Sequence, residues 1–111
     1  MNIFTRSGLT IAATFAVAVG FAVTAPEASA VTPKEAGCYY WSQPFQAKTT
    51  TTINIRSGPG TKYASLGILQ KGTKFEEHCY VSSSDWSYGK VKSGPNEGRF
   101  GWVSSPYLTF K

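Results

Sequence analysis

The stretch TINIRSGPGTKY, Thr52 to Tyr63, decides the reading of the chain. Ile53 and Ile55 alternate with polar residues, the period-2 pattern of a half-buried strand. At Ser57-Gly58-Pro59-Gly60-Thr61 the alternation stops. Gly58 and Gly60 are free to take positive φ, and Pro59 holds its own φ near about −65°. Together they predict a loop that reverses sharply and stays stiff. Stiffness lowers the entropy lost when a ligand docks. The same residues would equally serve as a tight turn that keeps a small domain compact. Asn54 and Arg56 fall on the face opposite Ile53 and Ile55, where they either anchor a carboxylate or stay solvated.

Working outward, strands and turns continue on both sides. Upstream, Cys38-Tyr39-Tyr40-Trp41 has strong strand character, and Gln46 to Thr52 reads as a linker or the approach to a strand. Downstream, Leu66 to Gln70 is a short apolar run closed by Lys71-Gly72. Thr73 to Val81 sets Phe75, Cys79 and Val81 at even spacing, which predicts one buried face. Trp86 to Lys92 and Arg99 to Val103 are further strands, separated by the turn-forming Ser93-Gly94-Pro95-Asn96-Glu97-Gly98. No stretch holds helical periodicity for about ten residues. Several short strands with Gly/Pro turns predict a small all-β barrel or sandwich.

The first thirty residues belong to something else. Arg6 and the free amine give a positive start, Leu9 to Ala25 is apolar apart from three threonines, and Pro26 ends any helix. Ala28-Ser29-Ala30 supplies small residues where a signal peptidase cuts, so residues 1–30 are expected to be a secretory signal peptide. The alternative, a membrane anchor, has a run at the short limit for about 30 Å of hydrocarbon and no basic stop-transfer cluster behind it. The expected mature product runs from Val31 to Lys111, secreted or cell-wall associated, without stable membrane insertion.

The whole chain carries 11 Lys plus Arg against 6 Asp plus Glu, a net +5 that the loss of Arg6 and Glu27 leaves unchanged. A basic surface attracts nucleic acid, anionic membranes or acidic wall polymers; export disfavours nucleic acid. The charges are spread, with no polybasic block, so solubility alone is the competing account. The two cysteines, Cys38 and Cys79, form an even set in an oxidising compartment, which predicts one disulfide. Closing a loop of about forty residues is worth roughly 4 kcal/mol in the chain-entropy model. The one histidine, His78, neighbours Cys79 and so aims to the other face of a strand, which argues against a Cys-His catalytic pair. Few His, Asp and Glu remain, so neither a metal, a cofactor nor an enzymatic activity is expected. Asp85 and Glu97 suit turn bonding and solubility.

Four segments resemble landmarks of bacterial SH3-like domains. Ile53-Asn54-Ile55-Arg56-Ser57-Gly58-Pro59-Gly60 is similar to their Leu-Asn-Val-Arg-Ser-Gly-Pro-Gly type opening. Leu69-Gln70-Lys71-Gly72-Thr73 resembles their strand-turn-strand element, Tyr88-Gly89-Lys90-Val91 their central strand, and Gly101-Trp102-Val103 with Tyr107-Leu108 their closing segment. The resemblance implies a barrel of five to six strands over residues 50–111, with Gly58-Pro59-Gly60 in the long first loop. Residues 31–49 lie outside it and are expected to be an N-terminal extension stapled on by Cys79.

Bacterial SH3-like domains often target enzymes to the wall by binding peptidoglycan peptide stems or cross-bridges; others are interaction modules. The resemblance therefore implies a non-catalytic binding module, expected monomeric, whose partner is peptidoglycan or a secreted or surface protein of the kind an inhibitor or adhesion factor binds. Beyond the leader's Phe4, Phe15 and Phe21, the chain holds three Trp, six Tyr and four Phe, more than a small barrel buries. Phe75, Phe100 and Trp102 are expected in the core. Tyr63, Trp86, Tyr88 and Tyr107 fall in or beside loops and are expected to line one ligand groove with Asn54 and Arg56.

Overall fold

The computed structural model describes residues 30–111; the leader read at residues 1–30 lies, apart from Ala30, outside the described residues. The described residues are nearly all β. Seven strands follow in order: β1 Tyr39–Thr49, β2 Ile53–Arg56, β3 Ser65–Leu69, β4 Lys74–Val81, β5 Trp86–Val91, β6 Phe100–Ser104 and β7 Leu108–Thr109. A 3-10 turn, Ser105–Tyr107, carries Pro106 ahead of β7. All pairings are antiparallel, in the order β3-β2-β6-β5-β4-β1-β7. Among the described residues no helix is long and apolar enough to cross a membrane.

The strand count exceeds the expected five to six because the extension ahead of the family-like segment contributes a strand of its own to the sheet. Residues 39–49 form the longest strand, β1, lying between β4 and β7. The expected bridge is present: Cys38 is bonded to Cys79 across a sequence separation of 41. It sits at the head of the ladder, where Tyr40 lies opposite Cys79. Residues 31–37 ahead of it, the lead-in to β1, form an ordered turn. Thr32 and Glu35 cap each other, Glu35 N–H to Thr32 Oγ1 at 3.1 Å and Thr32 N–H to Glu35 Oε1 at 2.9 Å. Hydrogen bonding to Thr32, its backbone N–H foremost, holds the Glu35 carboxyl below its ordinary pKa. Gly37, at φ +68°, ends the turn in the left-handed region that favours glycine.

Closure of the barrel rests on Thr49. Its side chain donates to Gln70 O at 2.9 Å and accepts from Thr73 N at 3.1 Å. Its backbone N–H donates to Thr73 O at 3.0 Å, and its carbonyl accepts from Gly72 N at 2.8 Å. The turn after β3 is thereby stitched to the end of β1, joining opposite regions of the sheet. Gly72 takes φ +88° at the third position of that turn, as a type II turn requires. Inside lie Ala47, Ile55, Leu69, Phe75, Val91, Val103 and Leu108.

Two registers break at the same place. Pairing of β1 with β4 jumps from Tyr40 opposite Cys79 to Phe45 opposite Glu77, so residues 41–44 face His78 alone. Pro44 in this interval has no N–H to give to a ladder. Pairing of β4 with β5 also slips, from Glu77 opposite Gly89 to Cys79 opposite Tyr88. Such bulges re-aim side chains. Beyond them Cys79 and Val81 are buried outside the main cluster.

Phe75 and Trp102 are buried as expected, but Phe100 is 46% exposed. Gly101 and Val103 take the inward positions of β6, so strand alternation turns Phe100 outward. There it stacks on Tyr88, with ring centroids 6.2 Å apart, and meets the edge of His78. Trp102 shares that outward face and is nevertheless only 1% exposed. Tyr88 packs against it at 5.2 Å, and its indole Nε1–H donates to Val31 O at 3.0 Å. The lead-in, which itself donates from Val31 N to Ser57 O, therefore roofs this tryptophan.

Because the disulfide ties β1 to β4 at the ladder head, its reduction should lower unfolding stability by about 2–4 kcal/mol. Denaturation midpoints with and without reductant, alongside intact mass, check this. A mass unchanged on reduction, or an unchanged midpoint, would contradict it.

Candidate functional site

The Ser57–Ala64 loop is closed at its base by Ser57 N–H donating to Ala64 O at 2.9 Å. Neither Gly58 nor Gly60 has positive φ; the positive-φ glycines among the described residues are Gly37, Gly72, Gly94 and Gly98. Gly58 is required for a different reason. A Cβ there would stand 2.5 Å from the Tyr63 ring, which lies flat against the glycine backbone. Lys62 Nζ sits 5.4 Å from the same ring, and Arg56 Nη1 donates to Tyr63 O at 3.0 Å. The loop is stiff because a tyrosine folds back onto it and an arginine holds that tyrosine's carbonyl.

Next to this loop an open groove of about 600 Å³ brings together Asn54, Arg56, Thr61, Trp86, Ser104 and Tyr107. Trp86 and Ser104 are ladder partners on β5 and β6, which fixes their common edge. Tyr107 is 47% exposed on the 3-10 turn. The Oδ1 of Asn54 accepts from Ser65 Oγ at 2.8 Å, a bond that leaves its amide N–H donors uncommitted. The Arg56 guanidinium spends one nitrogen on Tyr63 O and retains further donors.

Four of the six residues expected to line the groove thus meet in it: Asn54, Arg56, Trp86 and Tyr107. The other two do not. Tyr63 is spent on Gly58, inside the loop. Tyr88 lies in a second cleft of about 370 Å³, between Trp102, Phe100 and the Val31–Pro33 lead-in. Burial there pushes the Tyr88 hydroxyl pKa up. Arg56 borders both clefts. Thr61 and Ser104 escaped the sequence reading; the signal for Ser104 was its place opposite Trp86 in the strand pairing, which needs the register to be known.

Asp85 occupies the turn role read for it: at φ +64° it accepts from Tyr80 Oη at 2.6 Å, a bond that raises the tyrosine's pKa. Glu76 binds His78 Nε2 at 2.9 Å, and that bond foremost holds its carboxyl below the ordinary range. Among the described residues, no three His, Cys, Asp or Glu side chains gather as a metal site would need.

A small antiparallel barrel with a stiff first loop beside an aromatic and polar groove is the build of an SH3-like domain. Residues 51–109 match the bacterial SH3 domain family, and with more than half of the chain inside the match the protein belongs to it. Comparison with curated proteins gave no significant match, nor did comparison with solved structures. SH3 domains are generally non-catalytic binding modules. β1 and the disulfide's Cys38 precede the matched segment.

The Gly58–Tyr63 packing predicts a coupled effect. Gly58→Ala alone should destabilise, because its Cβ meets the ring. In a Tyr63→Ala background the same change should be neutral or stabilising by about 0.4–1 kcal/mol, since φ at this position lies outside the left-handed region. A thermal-denaturation double-mutant cycle measures it; equal cost in both backgrounds would show that the ring is not what demands glycine.

Proposed function

We propose that the protein is exported and that its barrel recognises peptidoglycan, or the peptide portion of it, through the groove between the Ser57–Ala64 loop and the Pro106–Tyr107 turn. The observation that carries this reading is the meeting of two aromatic rings, Trp86 and Tyr107, with the amide of Asn54 and the guanidinium of Arg56 in one open groove. The rings offer flat apolar faces with polar edges, suited to peptide backbone and small side chains. Arg56 offers a fork for a carboxylate, a group that wall peptides carry. Its partial engagement with Tyr63 O restrains the side chain, so less rotamer entropy is lost on binding.

Three further features support the reading. Bacterial SH3 domains are protein- or peptidoglycan-binding modules. The leader pattern of residues 1–30 is that of an exported protein. The Cys38–Cys79 bridge is consistent with an oxidising, extracellular location. The net charge of +5 aids approach to an anionic wall but does not set specificity.

Sedimentation with purified sacculi tests the proposal. Trp86→Ala and Tyr107→Ala should each weaken binding by roughly 5- to 150-fold, the range of about 1–3 kcal/mol for a ring at the centre of an interface. Lys62→Ala should change it far less, and binding should survive moderate salt. Equal binding by wild type and both ring variants would remove the groove. No sedimentation of the wild type would favour a secreted or surface protein as partner.

A further inference from the structure

Away from this groove, the bulges around His78 build a second feature. Glu77 sits opposite Phe45 in the ladder and is only 3% exposed. Its Oε1 accepts the indole N–H of Trp41 at 2.9 Å, and its Oε2 accepts the hydroxyl of Ser87, which also bonds Ser105 Oγ. Among the described residues no Lys, Arg or His nitrogen lies within ion-pair distance of it; the neighbouring Glu76, by contrast, has both His78 and Lys92. Two hydrogen bonds offset part of the cost of burying this side chain, and no counter-cation of the protein adds to them.

What lies over Glu77 is a cleft of about 230 Å³ walled by Trp41, Phe45 and Phe110. The rings stand nearly perpendicular to their neighbours: Trp41 to Phe45 at 5.1 Å and 75°, Phe45 to Phe110 at 6.1 Å and 77°. Phe45 and Phe110 are each about half exposed. Ring faces attract cations, and the carboxylate floor does so more strongly. The hydrogen-bond count narrows the choice of cation. Each Glu77 oxygen already takes one protein donor and keeps further lone-pair capacity. A primary ammonium has three N–H donors to fill it; a quaternary ammonium has none. A guanidinium fork would need both oxygens square-on, and both are already engaged from the protein side.

We propose that the cleft formed by Trp41, Phe45 and Phe110 over Glu77 binds a primary alkylammonium, the charged end of a lysine side chain carried by a peptide. The site shares no lining residue with the Trp86–Tyr107 groove and stands whether or not that groove binds the cell wall.

The probes are n-butylammonium and Nα-acetyl-lysine amide, titrated into the disulfide-bonded protein. The reporter is the Trp41 indole N–H resonance, since that proton is bonded to the group receiving the cation. Saturable shifts are expected with an affinity on the order of millimolar, and much weaker shifts with n-butanol, tetramethylammonium and Nε-acetylated lysine. Glu77→Gln should weaken butylammonium binding at least about tenfold, in line with loss of a charge-assisted bond. Phe110→Ala, at an exposed position near the chain end, should weaken it about three- to tenfold without affecting folding. No saturable shift in the wild type, or n-butanol acting as strongly as butylammonium, would overturn the site. So would unchanged affinity in a folded Glu77→Gln. If Glu77→Gln fails to fold, unchanged affinity in Phe110→Ala overturns it.

Discussion

The barrel depends on Thr49. One threonine spends its hydroxyl, its amide and its carbonyl on the Gln70–Thr73 turn, and it does so while 2% exposed. In a buried setting each unmade bond would leave a polar group without water, at a cost of about 1–3 kcal/mol. The stitch joins the end of β1 to the turn after β3, so the strand upstream of the family segment and the first hairpin within it become parts of one closed body. Next to the stitch, Lys48 and Thr49 pair with Thr109 and Leu108 of β7. The chain's last strand therefore completes its pairing on a segment that precedes the matched residues.

From that arrangement the surfaces follow. β1 brings Trp41 and Phe45 to the edge of β4, and its interruption at Pro44 lets Trp41 reach Glu77. The lead-in ahead of β1 covers Trp102, so an outward-facing aromatic becomes part of the interior. Beside the first loop a groove stays open, lined by the partly exposed Trp86 and the exposed Tyr107. The loop's stiffness comes from Tyr63 lying on Gly58, a packing constraint rather than a backbone conformation unique to glycine.

Much of this was legible in the sequence, and the reasons differ from element to element. The Ile53–Ile55 alternation, the Gly72 turn and the Trp86–Val91 and Phe100–Ser104 strands carry local signals, period and turn chemistry, that tertiary packing did not override. The Cys38–Cys79 bridge followed from an even count in a chain read as exported. Two of the differences come from register. That residues 39–49 run as one strand of the sheet was not legible because Pro44 and its polar neighbours mask the pattern beyond Trp41, and the bulge that accommodates them is visible only against β4. Phe100 looked like core because its outward phase is set by the inward Gly101 and Val103. The grouping of Tyr63 and Tyr88 with Trp86 and Tyr107 failed because nearness of loops says nothing about which ring a glycine or a lead-in will claim. Glu77 reads as an ordinary strand glutamate until Trp41 and Ser87 are found on its two oxygens.

Closure through Thr49 is best examined by native-state hydrogen exchange. The amides of Thr49 and Gly72, which form the two backbone bonds of the stitch, should exchange only through global unfolding, with opening free energies equal to that of whole-domain denaturation. Exchange of these amides at rates near those of free loops, while the β4–β5 ladder stays protected, would contradict the account: β1 would then be an appendage held by its disulfide, and the barrel would close without it.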